Sequence, residues 1–580
     1  MAAPSSITPL PDDEYGPWNP GIGSSVPKEL RHLATIFCPE NVFNSLAAAI
    51  ELRGLTGFNL SELVAFRPQR LALHELLVRI TADFEVPDGS RIEDLGLNFR
   101  EMARLLLAKY LDPAMSAIID AYDRARLGVG NTIDAALADV HRDWGPAEIA
   151  ELERRAAAAR EPAAASGYKM LARVMAALFA TQGSAWGTKE IISSMATDMA
   201  CNGYGGDCIG RAIAPLLARA AGEQGYKLLP RQEHPVVINT KGPSASGKST
   251  LRPLQKKLAG AMGVKWSDFA LISPDIWRKQ LLDYAALGAA YKYAGAFTSD
   301  ELQIVDHKLD RYMAGKYQRG DMSHLLIDRF RFDSFAPDSD EEGSNLLTRF
   351  GQTLHLFFVI TPPELLVERA WKRGLEFGRY KAVDDTLAHA VDAYTGMPNV
   401  FFTWVRRSDK RIQFEFLDNT VPLGQRPRTV AYGDNETINV LDIKRMLDIG
   451  RYGRVFVDAS APEFLYRDRG LLAPEHNTGF LRRCVERFHH VNFAAQASGR
   501  IYLRIESGIP ALIDPKALQA ALGDPDTFAG VAAVASAALS GAVAAEAQPQ
   551  YLRRYDGAEA ADRGVAVPTL GIWGDAAGVE

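Results

Sequence analysis

From Glu29 to about residue 165, apolar residues recur every three or four positions, as in "LALHELLVRI" and "FREMARLLLAKYLDPAMSAIIDAY". That spacing predicts helices with one buried face. "EVPDGSR" reads as a turn inside this region, and "ELERRAAAAREPAAASG" as a charged, Ala-rich helix broken at Pro162 and Gly167. A second helical stretch runs to about residue 221. The pattern then changes to short apolar runs alternating with helical segments, which predicts parallel strands joined by crossover helices. The strands are "HPVVINT", "FALISPD", "HLLIDRF", "HLFFVIT" and "RIQFEFLD", with helices starting near Lys248, Ile276, Pro363 and Val383. "RVFVDAS" and "RIYLRIE" read as further strands, followed by an Ala-rich helix and a polar tail. The prediction is an α/β protein in four parts: a flexible lead (1–30), an all-helical N-terminal region (31–230), a parallel sheet core (231–450) and a mixed C-terminal extension (451–580).

Composition narrows the classes of function. The 580 residues are 47% hydrophobic and 23% charged, a globular balance that supports sizeable cores. A net charge of -6 gives no whole-molecule field to draw nucleic acid or anionic lipid, so any anion site has to be local. The four cysteines, Cys38, Cys201, Cys208 and Cys484, form no CxxC pair and read as reduced thiols in a cytosolic setting. The Pro-, Ser- and Gly-rich lead has no basic n-region or apolar h-region, so it is not a cleaved secretory signal; a contact-dependent secretion system could still use it. "FAGVAAVASAALSGAVAA" (528–545) approaches spanning length. It consists of residues of weak transfer energy and is not expected to cross a membrane.

The candidate chemistry begins at "GPSASGKST", Gly242–Thr250. It fits G-x-x-x-x-G-K-[ST] after an apolar strand and before a helix, the context that gives this motif its meaning. Gly242, Ser244, Ala245, Ser246, Gly247, Lys248, Ser249 and Thr250 are the candidate nucleotide-binding residues. Loop N–H groups and the helix N-terminus would face the β-phosphate. Lys248 would reach the β- and γ-phosphates, and the Ser249 hydroxyl would bind Mg²⁺. Asp275, in "LISPDIWRKQL", stands where strands of such sheets open onto a ligand crevice. It can serve as general base to a hydroxyl that attacks the γ-phosphate, or cap the helix from Ile276, or both. Asp328 closes the third strand as a second Mg²⁺ contact. Arg329 and Arg331 alternate beyond it, one toward the cleft or both in surface pairs.

In "TPPELLVERAWKRGLEFGRYK", Pro362 and Pro363 stop a strand and start a helix. Arg369 and Arg373, four apart, share one face of that helix, and Arg379 follows breaks at Gly374 and Gly378. Arginines on a movable segment can neutralise the transferring phosphoryl group and exclude water; a solvated basic helix is the alternative. No N-K-x-D element follows for reading guanine, and "LLIDRF" lacks the Asp-Glu of a motor ATPase.

The ordered set "GPSASGKST", "SPDIWR", "LLIDRFRF", "VITPPELLVERAWKRG" and "FEFLDNT" resembles the zeta-toxin family of P-loop small-molecule kinases. The resemblance implies a P-loop kinase core, ATP as donor, Mg²⁺, and a hydroxyl of a nucleotide-containing metabolite as acceptor. Known branches act on UDP-N-acetylglucosamine or, among plant-pathogen type III effectors, on the adenosine 3′-hydroxyl of NAD. By position, Lys248 and Ser249 match the Walker A pair, Asp275 the catalytic carboxylate, and Arg369, Arg373 and Arg379 the lid arginines. Family analogy further implies a toxin or effector, with an antitoxin or chaperone as protein partner. Its place would be the cytoplasm or the cytosol of a cell into which it is secreted. The chain departs from the family at Asp328–Arg329, where many members show a Glu or a Gly-Thr pattern, and in its long N- and C-terminal regions. Two other readings stay open: a nucleotide-binding interaction protein without turnover, and a polynucleotide 5′-hydroxyl kinase. The second would need a continuous basic groove, and only Arg369–Arg411 is locally basic.

Overall fold

Continuous apolar runs bury both faces of a strand, and the five runs after residue 230 do so. They form β1 (Val236–Lys241), β2 (Phe269–Ile272), β3 (His324–Ile327), β4 (Thr353–Ile360) and β5 (Arg411–Asp418). All five are parallel, in the order β2-β3-β1-β4-β5. The computed structural model describes residues 15–91, 93–138, 145–183, 188–328, 346–422, 424–541, 543, 545, 548–552 and 569–574.

The chain divides into two compact units. The sheet unit holds 1–25, 229–273 and 313–580, and the helical unit holds 26–228 and 274–312. The helical unit therefore includes most of the connection between β2 and β3, which breaks the expected run of one domain from 231 to 450. One apolar cluster joins Val129 and Ile133 of the helix Met115–Ala138 to Leu171 and Met175 of Pro162–Gln182 and to Met195 of Lys189–Ala200. Pro162 starts a helix there, at the position where its missing N–H costs nothing, and Gly167 lies inside that helix without breaking it.

The helix Pro68–Asp83 is buried nearly all round, charged residues included. Glu301 accepts from Arg70 Nη2 at 2.6 Å and lies 2.6 Å from His74 Nε2. Glu75 accepts from Arg79 at 3.0 Å and from Lys308 at 3.2 Å. Buried charge is tolerated when paired in this way.

Five further strands continue the same sheet, two of them before residue 451 and three in the C-terminal extension. β6 (Arg428–Asp434), β7 (Thr437–Val440), β8 (His490–Ala494), β9 (Ile501–Glu506) and β10 (Ile509–Ile513) follow β5 outward, antiparallel except for the β7–β8 pair. The expected boundary at 450 falls inside the helix Ile443–Tyr452. "RVFVDAS" is not a strand: Val455 and Ala459 are buried beside Val367 and Leu387, but the Phe456 N–H bonds to the Leu465 carbonyl rather than to a ladder. Alternation reports one-sided burial, and an extended loop over helices satisfies it as well as a strand does.

The Ala-rich helix spans Pro525–Leu539. Among the described residues no helix is long and apolar enough to cross a membrane. The lead is described from Tyr15, where Trp18 packs beside Val367 and Leu387 and the Ser24 hydroxyl donates to Asp384.

Candidate functional site

The loop after β1 adopts a conformation that its sequence can hold only with special backbone angles. Ala245 (φ 63°) and Gly247 (φ 91°) are left-handed and alternate with residues of negative φ, so successive N–H groups turn toward one concave side. A Cβ at Gly247 would lie 2.3 Å from Asn419 Nδ2, and one at Gly242 would lie 2.8 Å from Ser246 Oγ and 3.0 Å from the Val359 carbonyl. Both positions therefore require glycine for space. The chain then enters a 3-10 turn, Lys248–Leu251, and the α-helix Arg252–Ala261. Lys248 Nζ donates to the carbonyls of Gly242 and Pro243, each at 3.0 Å, which folds the ammonium over the loop. Thr250 Oγ1 donates to the Gly247 carbonyl at 2.6 Å and closes the first turn.

The strand order places this loop at a topological switch point. The chain leaves β1 toward β2 on one side and leaves β4 toward β5 on the other, and ligands of open α/β sheets bind where such connections part. Each neighbouring strand end reaches the loop. Past β3, Asp328 Oδ2 accepts from Ser249 Oγ at 2.7 Å, with Arg252 Nη2 3.9 Å from the same oxygen. Past β4, Thr361 Oγ1 donates to the Ser246 carbonyl at 3.3 Å. Past β5, Asn419 Nδ2 donates to that carbonyl at 2.7 Å.

The loop fits a polyphosphate on observable grounds. Among the described residues the N–H groups of Ala245 and Gly247 have no protein acceptor, and buried Ser246 Oγ has no hydrogen-bond partner. Ser249 and Asp328 offer hard oxygens of the kind Mg²⁺ takes, together with phosphate oxygens and water. Among the described residues no group of three or more His, Cys, Asp or Glu could hold a metal by itself.

The other predicted residues are less clustered. Asp275 belongs to the helical unit, on the 3-10 turn Pro274–Trp277, where its Oδ1 accepts from Arg278 Nε at 2.9 Å. Arg369 and Arg373 lie on the helix Pro363–Phe377, begun by Pro363 as expected. Arg369 is half-buried and donates through Nη2 to the carbonyls of Asn419 (2.8 Å) and Val421 (3.0 Å); burial lowers its pKa from the ordinary value. It braces the segment after β5. Arg373 is partly buried one turn on, and Arg379 follows the helix end at Gly378. Gly374 is not a break: it lies within the helix, where the Tyr380 ring takes the space of a Cβ. Arg329 and Arg331 lie outside the described residues.

Sequence reasoning missed Thr361, Asn419 and Tyr394, whose hydroxyl donates to the Thr361 carbonyl at 2.7 Å. A signal was present: polar residues close the apolar runs of β4 and β5 at the same end of the sheet as the loop. Comparison with family models, curated proteins and solved structures returns no match to this chain.

Proposed function

We propose that the protein is an ATP-dependent phosphotransferase that moves the γ-phosphate to a hydroxyl of a nucleotide-containing metabolite, with the NAD 3′-hydroxyl ahead of UDP-N-acetylglucosamine, and that it acts as a toxin or effector. The Ser249–Asp328 bond at 2.7 Å carries this reading, because it links the loop to the end of β3 with two oxygens suited to Mg²⁺. Bound Mg²⁺ would supply charge to the phosphate oxygens. Lys248 exchanges its loop carbonyls for phosphate oxygens and adds positive charge where negative charge develops. Loop N–H groups orient the chain of phosphates. Asp275 takes the proton of the attacking hydroxyl, the new O–P bond forming as the bond from the γ-phosphorus to the leaving oxygen breaks. Arg373 and Arg379 neutralise the transferring group, while Arg369, on the same helix as Arg373, braces the segment after β5.

The test is purified protein with γ-labelled ATP, Mg²⁺ and a panel of NAD, UDP-N-acetylglucosamine and 5′-hydroxyl oligonucleotides. Label in a small metabolite supports the reading, label in the oligonucleotide makes the protein a polynucleotide kinase, and label in none of them removes it. One observation favours a nucleotide-binding interaction protein instead. Arg278, which holds Asp275 through Nε, also donates through Nη1 to the Gly295 carbonyl at 2.6 Å and to Thr298 Oγ1 at 2.8 Å, as a structural arginine does. Under that reading ATP binds and no label moves.

A further inference from the structure

One peptide of the loop is held by side chains from two strand ends. The Ser246 carbonyl accepts from Asn419 Nδ2 at 2.7 Å and from Thr361 Oγ1 at 3.3 Å. A trans peptide is planar, with its N–H directed opposite to its C=O. Fixing the Ser246 carbonyl against the ends of β4 and β5 therefore turns the Gly247 N–H the other way. Among the described residues no protein acceptor meets that N–H.

The holding groups are themselves held. The Asn419 N–H donates to the Ile360 carbonyl at 2.9 Å, its own carbonyl accepts from Arg369 at 2.8 Å, and it is 6% exposed. The Thr361 N–H donates to Tyr394 Oη at 2.8 Å while the same hydroxyl donates back to the Thr361 carbonyl. Tyr394 is buried, so the bonds lead from packed side chains to a single loop peptide. The carboxamide also explains one glycine: at 2.3 Å from Asn419 Nδ2, a Cβ on residue 247 has no room even before a ligand arrives.

We propose that Asn419 is a positioning residue for phosphate binding, its carboxamide working with Thr361 to pin the Ser246–Gly247 peptide so that the Gly247 N–H faces a polyphosphate oxygen. The inference rests on the loop being a phosphate site, as proposed above. A preset donor costs no reorganisation when the ligand binds. A loop peptide free to rotate would present a carbonyl to the phosphate as readily as an N–H.

Wild type, Asn419→Asp and Asn419→Ala are titrated with Mg²⁺ and inorganic pyrophosphate by calorimetry, with the folded fraction of each fixed by circular dichroism. Aspartate keeps the size of asparagine but has no proton for the Ser246 carbonyl and opposes it with a negative charge. The expected result is folded variants whose pyrophosphate dissociation constants rise roughly tenfold for alanine and further for aspartate. A merely structural asparagine would lower the thermal midpoint and leave the affinity of the folded fraction unchanged. Affinities within about twofold of wild type in the folded variants overturn the proposal. So does the failure of both variants to fold, which would make Asn419 a residue of the fold. If wild type itself binds no pyrophosphate, the phosphate-site reading falls and the proposal with it; equal binding by all three proteins removes the role of Asn419 alone.

Discussion

Within Gly242–Thr250 the only cationic side chain is Lys248, and its ammonium already sits over the loop on the carbonyls of Gly242 and Pro243. Lys248→Ala is expected to lower phosphoryl transfer by at least about 10²-fold, since a charge aimed at the transition state is removed. Label transfer at the wild-type rate would take the loop out of the chemistry. Asp275 is the sharper case, because Arg278 holds it in the helical unit. Asp275→Asn keeps the shape but cannot take a proton, so kcat should fall about 10²–10⁴-fold while ATP binding, measured by calorimetry, is kept. Retention of both makes Asp275 a partner for Arg278 and supports the interaction-protein reading.

At the scale of elements, the helix Pro363–Phe377 shows how one face can carry different tasks. Arg369 is committed to the carbonyls of Asn419 and Val421, so Arg369→Ala should cost about 2 kcal/mol of stability, the size of a lost charge-assisted bond with an acceptor left unpaired. A thermal midpoint equal to wild type would return Arg369 to the surface. The spacing that groups Arg369 with Arg373 was legible in the sequence, but their partners were not, because periodicity fixes a face and not what covers it. The same limit explains β1 to β5 against "RVFVDAS". Long apolar runs beside a glycine loop and a Pro-Pro helix start leave few alternatives, whereas a short alternating run is equally an extended loop. The strands β6 and β7 went unread for a related reason: their turn depends on Asp434 Oδ1 accepting from the N–H groups of Glu436 and Thr437, both at 2.9 Å.

In the helical unit the pattern of Pro68–Asp83 hid its ion pairs. Burial raises the Glu301 carboxyl, but Arg70 and His74 outweigh it and hold the carboxyl at about 2. A depressed carboxyl contributes stability that is complete above its unfolded value, near 4.5, and is lost as the pH falls through about 2. Glu301→Gln should therefore cost about 3–5 kcal/mol near neutrality. Its difference from wild type should narrow on acidification across that window; a difference that stays constant would show the pair to be energetically idle.

Across the whole chain, the last described segment returns to the central sheet, and one buried acid receives it. Glu415 of β5 accepts from the N–H of Leu570 at 2.6 Å, from the N–H of Gly571 at 2.9 Å and from Thr429 Oγ1 at 2.8 Å. Arg426 binds the carbonyl of Thr569 at 2.7 Å, and Trp573 stacks on Tyr432 at 5.6 Å. Glu301 and Glu415, both fully buried, stand under opposite balances. For Glu415 burial prevails, raising its carboxyl to about 7 against the pull of Thr429, the two N–H groups and Arg426. A raised carboxyl keeps its proton in the folded chain where the unfolded chain, with a value near 4.5, has released it. Its contribution to stability is therefore full below about 4.5 and is lost as the pH rises through about 7. At 1.36 kcal/mol for each pH unit of difference, the loss amounts to roughly 3 kcal/mol. Glu415→Gln does not titrate, and its amide hydrogens would face the N–H of Leu570, so residues 569–574 should exchange amide hydrogens faster at every pH. The stability advantage of wild type over Glu415→Gln, measured by urea unfolding, should be largest near pH 4.5 and shrink toward pH 8. Parallel curves across that range would mean that Glu415 stays ionised when folded, with its three donors outweighing burial.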